Sequence, residues 1–210
     1  YDELECCSMK VFIPVDFGVI DMFLERGWGI SKNIRDADLI QFTGGADIEA
    51  HLYNLPHHKS MYYSEGRTAK ELAAYEIAKK LGKPMAGICR GAQFLNVMAG
   101  GSMWQHVNGH GMSHRMSAVR SETTVEVTSC HHQCMIPTDK ADVLMVAHEA
   151  SRMEKMNTDG SIDVVTGDKL ETMEVLAYWD MGLFCWQGHP EWERKPSLYF
   201  SYIERLLKRN

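Results

Sequence analysis

A cysteine stands between two glycines in Gly87-Ile88-Cys89-Arg90-Gly91, where a short apolar run gives way to a helical pattern. Gly-x-nucleophile-x-Gly at a strand-to-helix junction is the spacing of a nucleophile elbow. The glycines leave room for a sharp, strained turn that pushes the central side chain out over the sheet. Here that side chain is a thiol at a helix N-terminus, where the partial positive charge favours the thiolate, the attacking species. The bland alternative is a structural cysteine at a strand end, since free Cys is often a small buried hydrophobe. A cysteine nucleophile wants a base and a group to orient it. His189-Pro190-Glu191 supplies both within three residues. In extended chain residues i and i+2 point to the same side, and Pro190 stiffens the link by fixing its own φ. His189 then takes the thiol proton while Glu191 holds the other ring nitrogen. Alone, His-Pro-Glu reads better as a surface turn; its place after the last strand favours the catalytic reading.

A second constellation has ligand-type side chains. His106, His110 and His114 are spaced by four, and Cys130-His131-His132 and Cys134 form a dense group. Such residues are zinc ligands elsewhere. Spacing by four aligns ligands only on a helix, however, and Gly109 and Gly111 argue against one. The expectation is therefore no metal.

These residues need elements to hold them. Short apolar runs alternate with helical patterns, the signature of β–α units around a mostly parallel sheet. Strands are predicted over residues 11–15, 38–42, 84–88 and 183–187, and helices over 19–26, 68–81, 91–99 and 197–208. Thr68 and Glu71 have the spacing of a capping box. Further strands are predicted at 123–128, 143–147, 162–166 and 172–179, several antiparallel because their links are too short for crossovers. Residues 46–66 and 102–121 read as loops. In a parallel sheet the carboxyl ends of strands share one edge, so the loops carrying Thr43-Gly44-Gly45, Cys89 and His189 converge where open α/β sheets bind ligands. No linker divides the chain. Residues 1–9 read as a flexible N-terminal segment and 10–210 as a single domain.

Composition sets outer limits. The chain has 210 residues, with 22 Lys and Arg against 28 Asp and Glu, a net charge of −6. That balance argues against a nucleic-acid partner, which calls for a basic face. The longest apolar stretches fall far short of a membrane span, and the acidic start is unlike a signal peptide. Six cysteines without the regular spacing of a disulfide scaffold point to a reduced, cytoplasmic setting. With no basic field, an anionic ligand must be met by local donors.

Phe42-Thr43-Gly44-Gly45-Ala46-Asp47, Gly87-Ile88-Cys89-Arg90-Gly91-Ala92-Gln93, Asn96-Val97, Gly100-Gly101-Ser102, His131-His132-Gln133 and Gly188-His189-Pro190-Glu191-Trp192 occur in the order seen in class I glutamine amidotransferase-like proteins. More narrowly, the chain resembles the γ-glutamyl hydrolase branch, which includes γ-glutamyl-γ-aminobutyrate hydrolases, from about residue 10 to residue 192. The resemblance implies a three-layer α/β/α sandwich with a flavodoxin-like, mostly parallel sheet. It implies a Cys89–His189–Glu191 triad working through a glutamyl-thioester, with an oxyanion hole from the N–H groups of Gly45 and Arg90. It implies no cofactor, and the His-His-Gln motif needs no metal. A small γ-glutamyl substrate would meet Gly44, Arg67, Gln93, His132 and Gln133. Arg67 and Glu71 fit the hydrolases' Arg-Asp-x-x-Glu helix start, with Thr68 in place of the aspartate. Gly-Ile-Cys-Arg-Gly and His-His-Gln look like the stand-alone hydrolases. The alternative is a glutaminase subunit supplying ammonia to a partner synthetase. From another class, the alternative is a non-catalytic binding or regulatory protein that retains the fold.

Overall fold

A computed structural model describes residues 8–194 and 196–209; Cys6 and Cys7, and the expected N-terminal segment through residue 7, lie outside the described residues. The first half of the chain runs β1 (Lys10–Phe12), α1 (Ile20–Glu25), β2 (Gly29–Ile30), β3 (Leu39–Phe42), α2 (Arg67–Lys80), β4 (Met85–Ile88) and α3 (Arg90–Met98). There follow β5 (Ser102–Trp104), β6 (His106–Val107), β7 (His114–Ala118), β8 (Thr124–Val127) and β9 (Cys134–Ile136). The chain ends in β10 (Asp142–Met156), β11 (Ile162–Tyr178), β12 (Leu183–Trp186) and α4 (Ser197–Leu207).

The sheet order is β2-β1-β3-β4-β12-β11-β10-β7-β8. From β2 to β12 every pairing is parallel; from β12 outward the pairings are antiparallel. The period of two sorts side chains onto the two faces. On β12, Leu183 and Cys185 join the core under α2 and α3, with Ala74, Ala78, Phe94 and Leu95. Phe184 and Trp186 join the opposite core, under α1 and α4, with Phe23, Tyr199 and Ile203. The result is the three-layer α/β/α sandwich, with β12 buried on both sides as a central strand must be.

Three expectations change. Residues 102–121 are not a continuous loop: they contain β5, β6 and β7, paired with β9, β10 and β8 respectively. These strands are two to five residues long, too short to show a period. The strands predicted at 162–166 and 172–179 are one strand of 17 residues. Its partner β10 has 15, and the pairing jumps from Arg152↔Thr166 to Ala150↔Leu170. The extra residues form a bulge in which Lys169 has φ 58°. Gly167-Asp168 reads as a break in sequence but only bends the ribbon. The capping box is also absent. Helix α2 begins at Arg67, and Gly66 at its N-cap gives no side-chain bond. The Glu71 carboxylate instead meets two guanidiniums, which outbid a backbone N–H for an ionised partner.

Candidate active site

Cys89 sits between β4 and α3 with φ 48° and ψ −110°. A non-glycine residue there costs on the order of 1–3 kcal/mol and persists only where its surroundings over-determine it. The flanking glycines make the turn possible. A Cβ on Gly87 would collide with the Gly91 backbone, and a Cβ on Gly91 would lie 2.5 Å from the Phe42 carbonyl oxygen. Helix α3 therefore rises directly against the ends of β3 and β4. Gly91→Ala is expected to lower stability by about 1–3 kcal/mol through overpacking, read from the urea midpoint; an unchanged midpoint would show the elbow to be looser than drawn.

The turn points the Cys89 side chain at the loop ends gathered on the carboxyl edge of the sheet. The Arg90 backbone N–H reaches its sulfur, as the first N–H of a helix can. Gly44 lies against both Cys89 and His189: a Cβ on Gly44 would lie 2.8 Å from His189 Cε1 and 3.7 Å from Cys89 Cβ. Gly45, with φ 137°, lines the same cavity as Cys89. That cavity measures about 190 Å³ and is walled by Gly45, Asp47, Tyr62, Gln93 and His132 among others.

His189 and Glu191 meet as their spacing predicts, although residues 190–192 form a 3₁₀ turn and not an extended segment. His189 Nδ1 lies 2.7 Å from Glu191 Oε1, and the imidazole stacks on Trp192 with centroids 3.8 Å apart. The other nitrogen, Nε2, faces Cys130 Sγ at 3.2 Å. Cys130 thus stands between the dyad and Cys89, with which it shares a hydrogen bond. That bond, with burial, pushes the Cys89 thiol up. Cys130 is pulled down by the same bond and by His189. Burial opposes charge on His189, but its bonds to Cys130 and Glu191 lift it to about 9. Sequence assigned Cys130 only a place beside the His-His-Gln motif; its contact with His189 links residues 59 apart and leaves no local signal.

The remaining expected site residues divide. Gln93 lines the cavity and donates Nε2–H to Gln187 Oε1 at 3.3 Å. His132 lines it too, with Nε2 3.1 Å from Asp47 Oδ2, an oxygen that also accepts the Tyr62 N–H at 2.9 Å. Gln133 is buried beside the cavity, donating to Gln105 O. Arg67 is likewise turned inward. Its Nε bonds Glu71 at 3.0 Å and its Nη2 the Thr43 carbonyl at 2.9 Å. Glu71 also pairs with Arg90, whose Nη2 donates to Thr68 Oγ1 at 2.8 Å. Arg67, Glu71 and Arg90 form one buried network tying α2, α3 and the Thr43 loop. Asp47 and Tyr62 are cavity residues the sequence did not single out as ligands; Asp47 lay inside the quoted Thr43-Gly44-Gly45-Ala46-Asp47 motif.

Hydrogen bonding to Asp47 raises His132 above the ordinary histidine value despite partial burial. A raised pKa means the Asp47–His132 link is fully formed below about pH 6.5 and is lost as pH rises through the higher folded value. The His132 titration midpoint, followed by NMR, is expected to fall in Asp47→Asn. An unmoved midpoint would rule the link out.

Of the ligand-type histidines, His106 stands apart, stacked on His58. His110 and His114 do come together without a helix, beside His131 and Glu174. β7 and the loop before it place them there, a route that spacing alone does not reveal.

The family model described as Peptidase C26 matches residues 23–177, a stretch that includes Cys89. The chain belongs to the Peptidase C26 family. A glutamine amidotransferase-like protein of Lactococcus lactis subsp. cremoris is 33% identical over 124 residues, covering 59% of this chain and 65% of that protein. A Mycobacterium tuberculosis protein named for the glutamine amidotransferases is 30% identical over 154 residues, covering 71% of this chain and 49% of that protein. The chain thus spans about half to two thirds of the length of these relatives. A solved glutamine amidotransferase from Thermotoga maritima superimposes with a TM-score of 0.57 at 15% identity, covering 96% of this chain and 85% of that one. At that identity the likeness is one of fold, and the fold of this Peptidase C26 member is the class I glutamine amidotransferase-like one. Among the described residues, no helix is long and apolar enough to cross a membrane.

Proposed function

We propose that this Peptidase C26 domain hydrolyses the γ-glutamyl amide bond of a small metabolite. The observation that carries the reading is Cys89 on its strained elbow, with the Arg90 N–H at its sulfur and the His189–Glu191 dyad across Gly44. Rotation of the exposed Cys130 side chain frees His189 Nε2 for Cys89, whose proton passes to the imidazole. The thiolate attacks the δ-carbonyl, and the oxyanion sits on the Gly45 and Arg90 N–H groups, each donor worth about 3–4 kcal/mol in comparable sites. His189 gives its proton to the departing amine as the C–N bond breaks, leaving a glutamyl-thioester. Water then loses a proton to His189, attacks the thioester, and releases glutamate and the thiolate. Glu191 orients the imidazole through its contact with Nδ1. Asp47 is the cavity's one carboxylate among the described lining residues and is placed for the substrate's ammonium, with His132 and Gln93 for its carboxylate.

The relatives named for glutamine amidotransferases favour a second reading, a glutaminase that passes ammonia to a partner synthetase. Purified protein is incubated with glutamine and a panel of γ-glutamyl amines, and glutamate, amine and ammonia are measured. The hydrolase reading expects glutamate and free amine from bulkier amides without any partner. Turnover confined to glutamine supports the second reading. No release from any compound overturns both and leaves a non-catalytic binding role.

A further inference from the structure

Beside the cavity, with His131 part of its wall, lies a group of side chains that this mechanism does not use. His110, His114 and His131 surround Glu174, all four buried. One donor atom from each lies within 4.8 Å of every other. The Glu174 oxygens are 3.4 Å from His110 Nε2, 3.3 Å from His114 Nε2 and 3.6 Å from His131 Nε2. A tetrahedral ion with bonds of about 2.0–2.1 Å has ligand-to-ligand edges of about 3.3–3.4 Å. The three oxygen–nitrogen separations lie close to that edge.

The proton pattern points the same way. His110 Nδ1 lies 3.0 Å from the Asn108 carbonyl and His131 Nδ1 2.8 Å from the Gln133 carbonyl. A carbonyl only accepts, so each Nδ1 holds a hydrogen and Nε2 is the atom each ring offers to the centre. This is the outer hydrogen bond that fixes a metal-binding imidazole. At the centre the polar groups are poorly matched. Both nitrogens of His114, Nε2 of His131 and Oε2 of Glu174 are buried without a hydrogen-bond partner. One cation at the centre would accept a lone pair from each of the four side chains together. Thr172 Oγ1, 2.9 Å from His110 Nε2, has the Ala147 carbonyl at 3.4 Å to turn to when that nitrogen takes the ion.

We propose that His110, His114, His131 and Glu174 bind a divalent transition-metal ion, zinc by preference, in a structural site. Three imidazoles and a carboxylate suit zinc in four-coordination. The burial of all four ligands leaves no open position for substrate. The ion ties the loop before β7, β7 itself and β11 to the segment 129–133. Ser129 donates to the His110 carbonyl at 3.0 Å, while Cys130 and His132, the neighbours of His131, face the cavity. The ion thereby holds in register the wall that carries Cys130 against His189. The site does not depend on the identity of the substrate.

The test uses tag-free protein, its metal content measured as purified and after chelation and titration with Zn²⁺ or Co²⁺. The expected result is about one equivalent bound, a visible tetrahedral Co²⁺ spectrum, and a melting temperature several degrees higher with metal than without. His114→Ala and Glu174→Gln should each weaken binding at least tenfold to a hundredfold. Cys89→Ser/Cys130→Ser should retain it, separating this site from the thiols around His189. Should the ligand variants fail to fold, the wild type and the thiol double variant still decide. No stoichiometric metal and no Co²⁺ spectrum in the wild type overturns the proposal, as does binding lost in the thiol double variant.

Discussion

Cys89→Ala is expected to lower glutamate release by about 10⁴-fold or more, because the covalent route disappears with the nucleophile. The fold should survive, since alanine fills most of the cysteine's volume. The informative comparison is with Cys130→Ala. Cys130 has the more direct line to His189, at 3.2 Å, and is the thiol whose ionised form its surroundings favour. On proximity to the base alone it would be the nucleophile. It lacks what the elbow gives Cys89, namely a helix N-terminus beneath it and the Arg90 N–H at its sulfur. Stabilisation of the developing oxyanion outweighs ease of deprotonation, so Cys130→Ala should stay within about tenfold of wild type in kcat/KM. A Cys89→Ala variant that keeps a tenth of wild-type turnover, or a Cys130→Ala variant that loses it all, would reverse the assignment.

Glu71→Ala is expected to destabilise the protein by about 3–5 kcal/mol, the range for removing one partner from a buried ion pair. For a domain of this size that lowers the melting temperature by roughly 10 °C or more. Glu71 is 1% exposed and bonds Arg67 through one oxygen and Arg90 through the other. Without it, two buried guanidiniums face one another with no carboxylate between them. Burial already lowers the Arg67 pKa, an effect Glu71 opposes. Arg67 also holds the Thr43 carbonyl, one peptide from Gly44. Turnover per folded molecule should therefore fall as well, through displacement of the Gly44-Gly45 turn. Glu71→Gln, which keeps the shape without the charge, should lie between. A loss below 1 kcal/mol for Glu71→Ala would mean that the network is relieved by water.

Features that rest on local rules were legible in the chain. Glycines at 87 and 91 around Cys89 specify the elbow because no Cβ fits there, and that constraint lies within five residues. His189 and Glu191 meet because they are two residues apart. Alternation within β3, β4 and β12 fixes which side chains enter each core, so the layered architecture was legible. Only the tertiary structure decided the rest, through contacts between residues distant in the chain. It put Cys130 between His189 and Cys89, tied Arg67 into a buried network with Glu71 and Arg90, and joined residues 162–178 into one strand across a bulge. It also gathered His110, His114, His131 and Glu174 from strands and loops whose spacing carries no period. A side chain's reach is local and is written in sequence. Its partner across the sheet depends on register and on competition among buried charges, and these are settled only when the layers close.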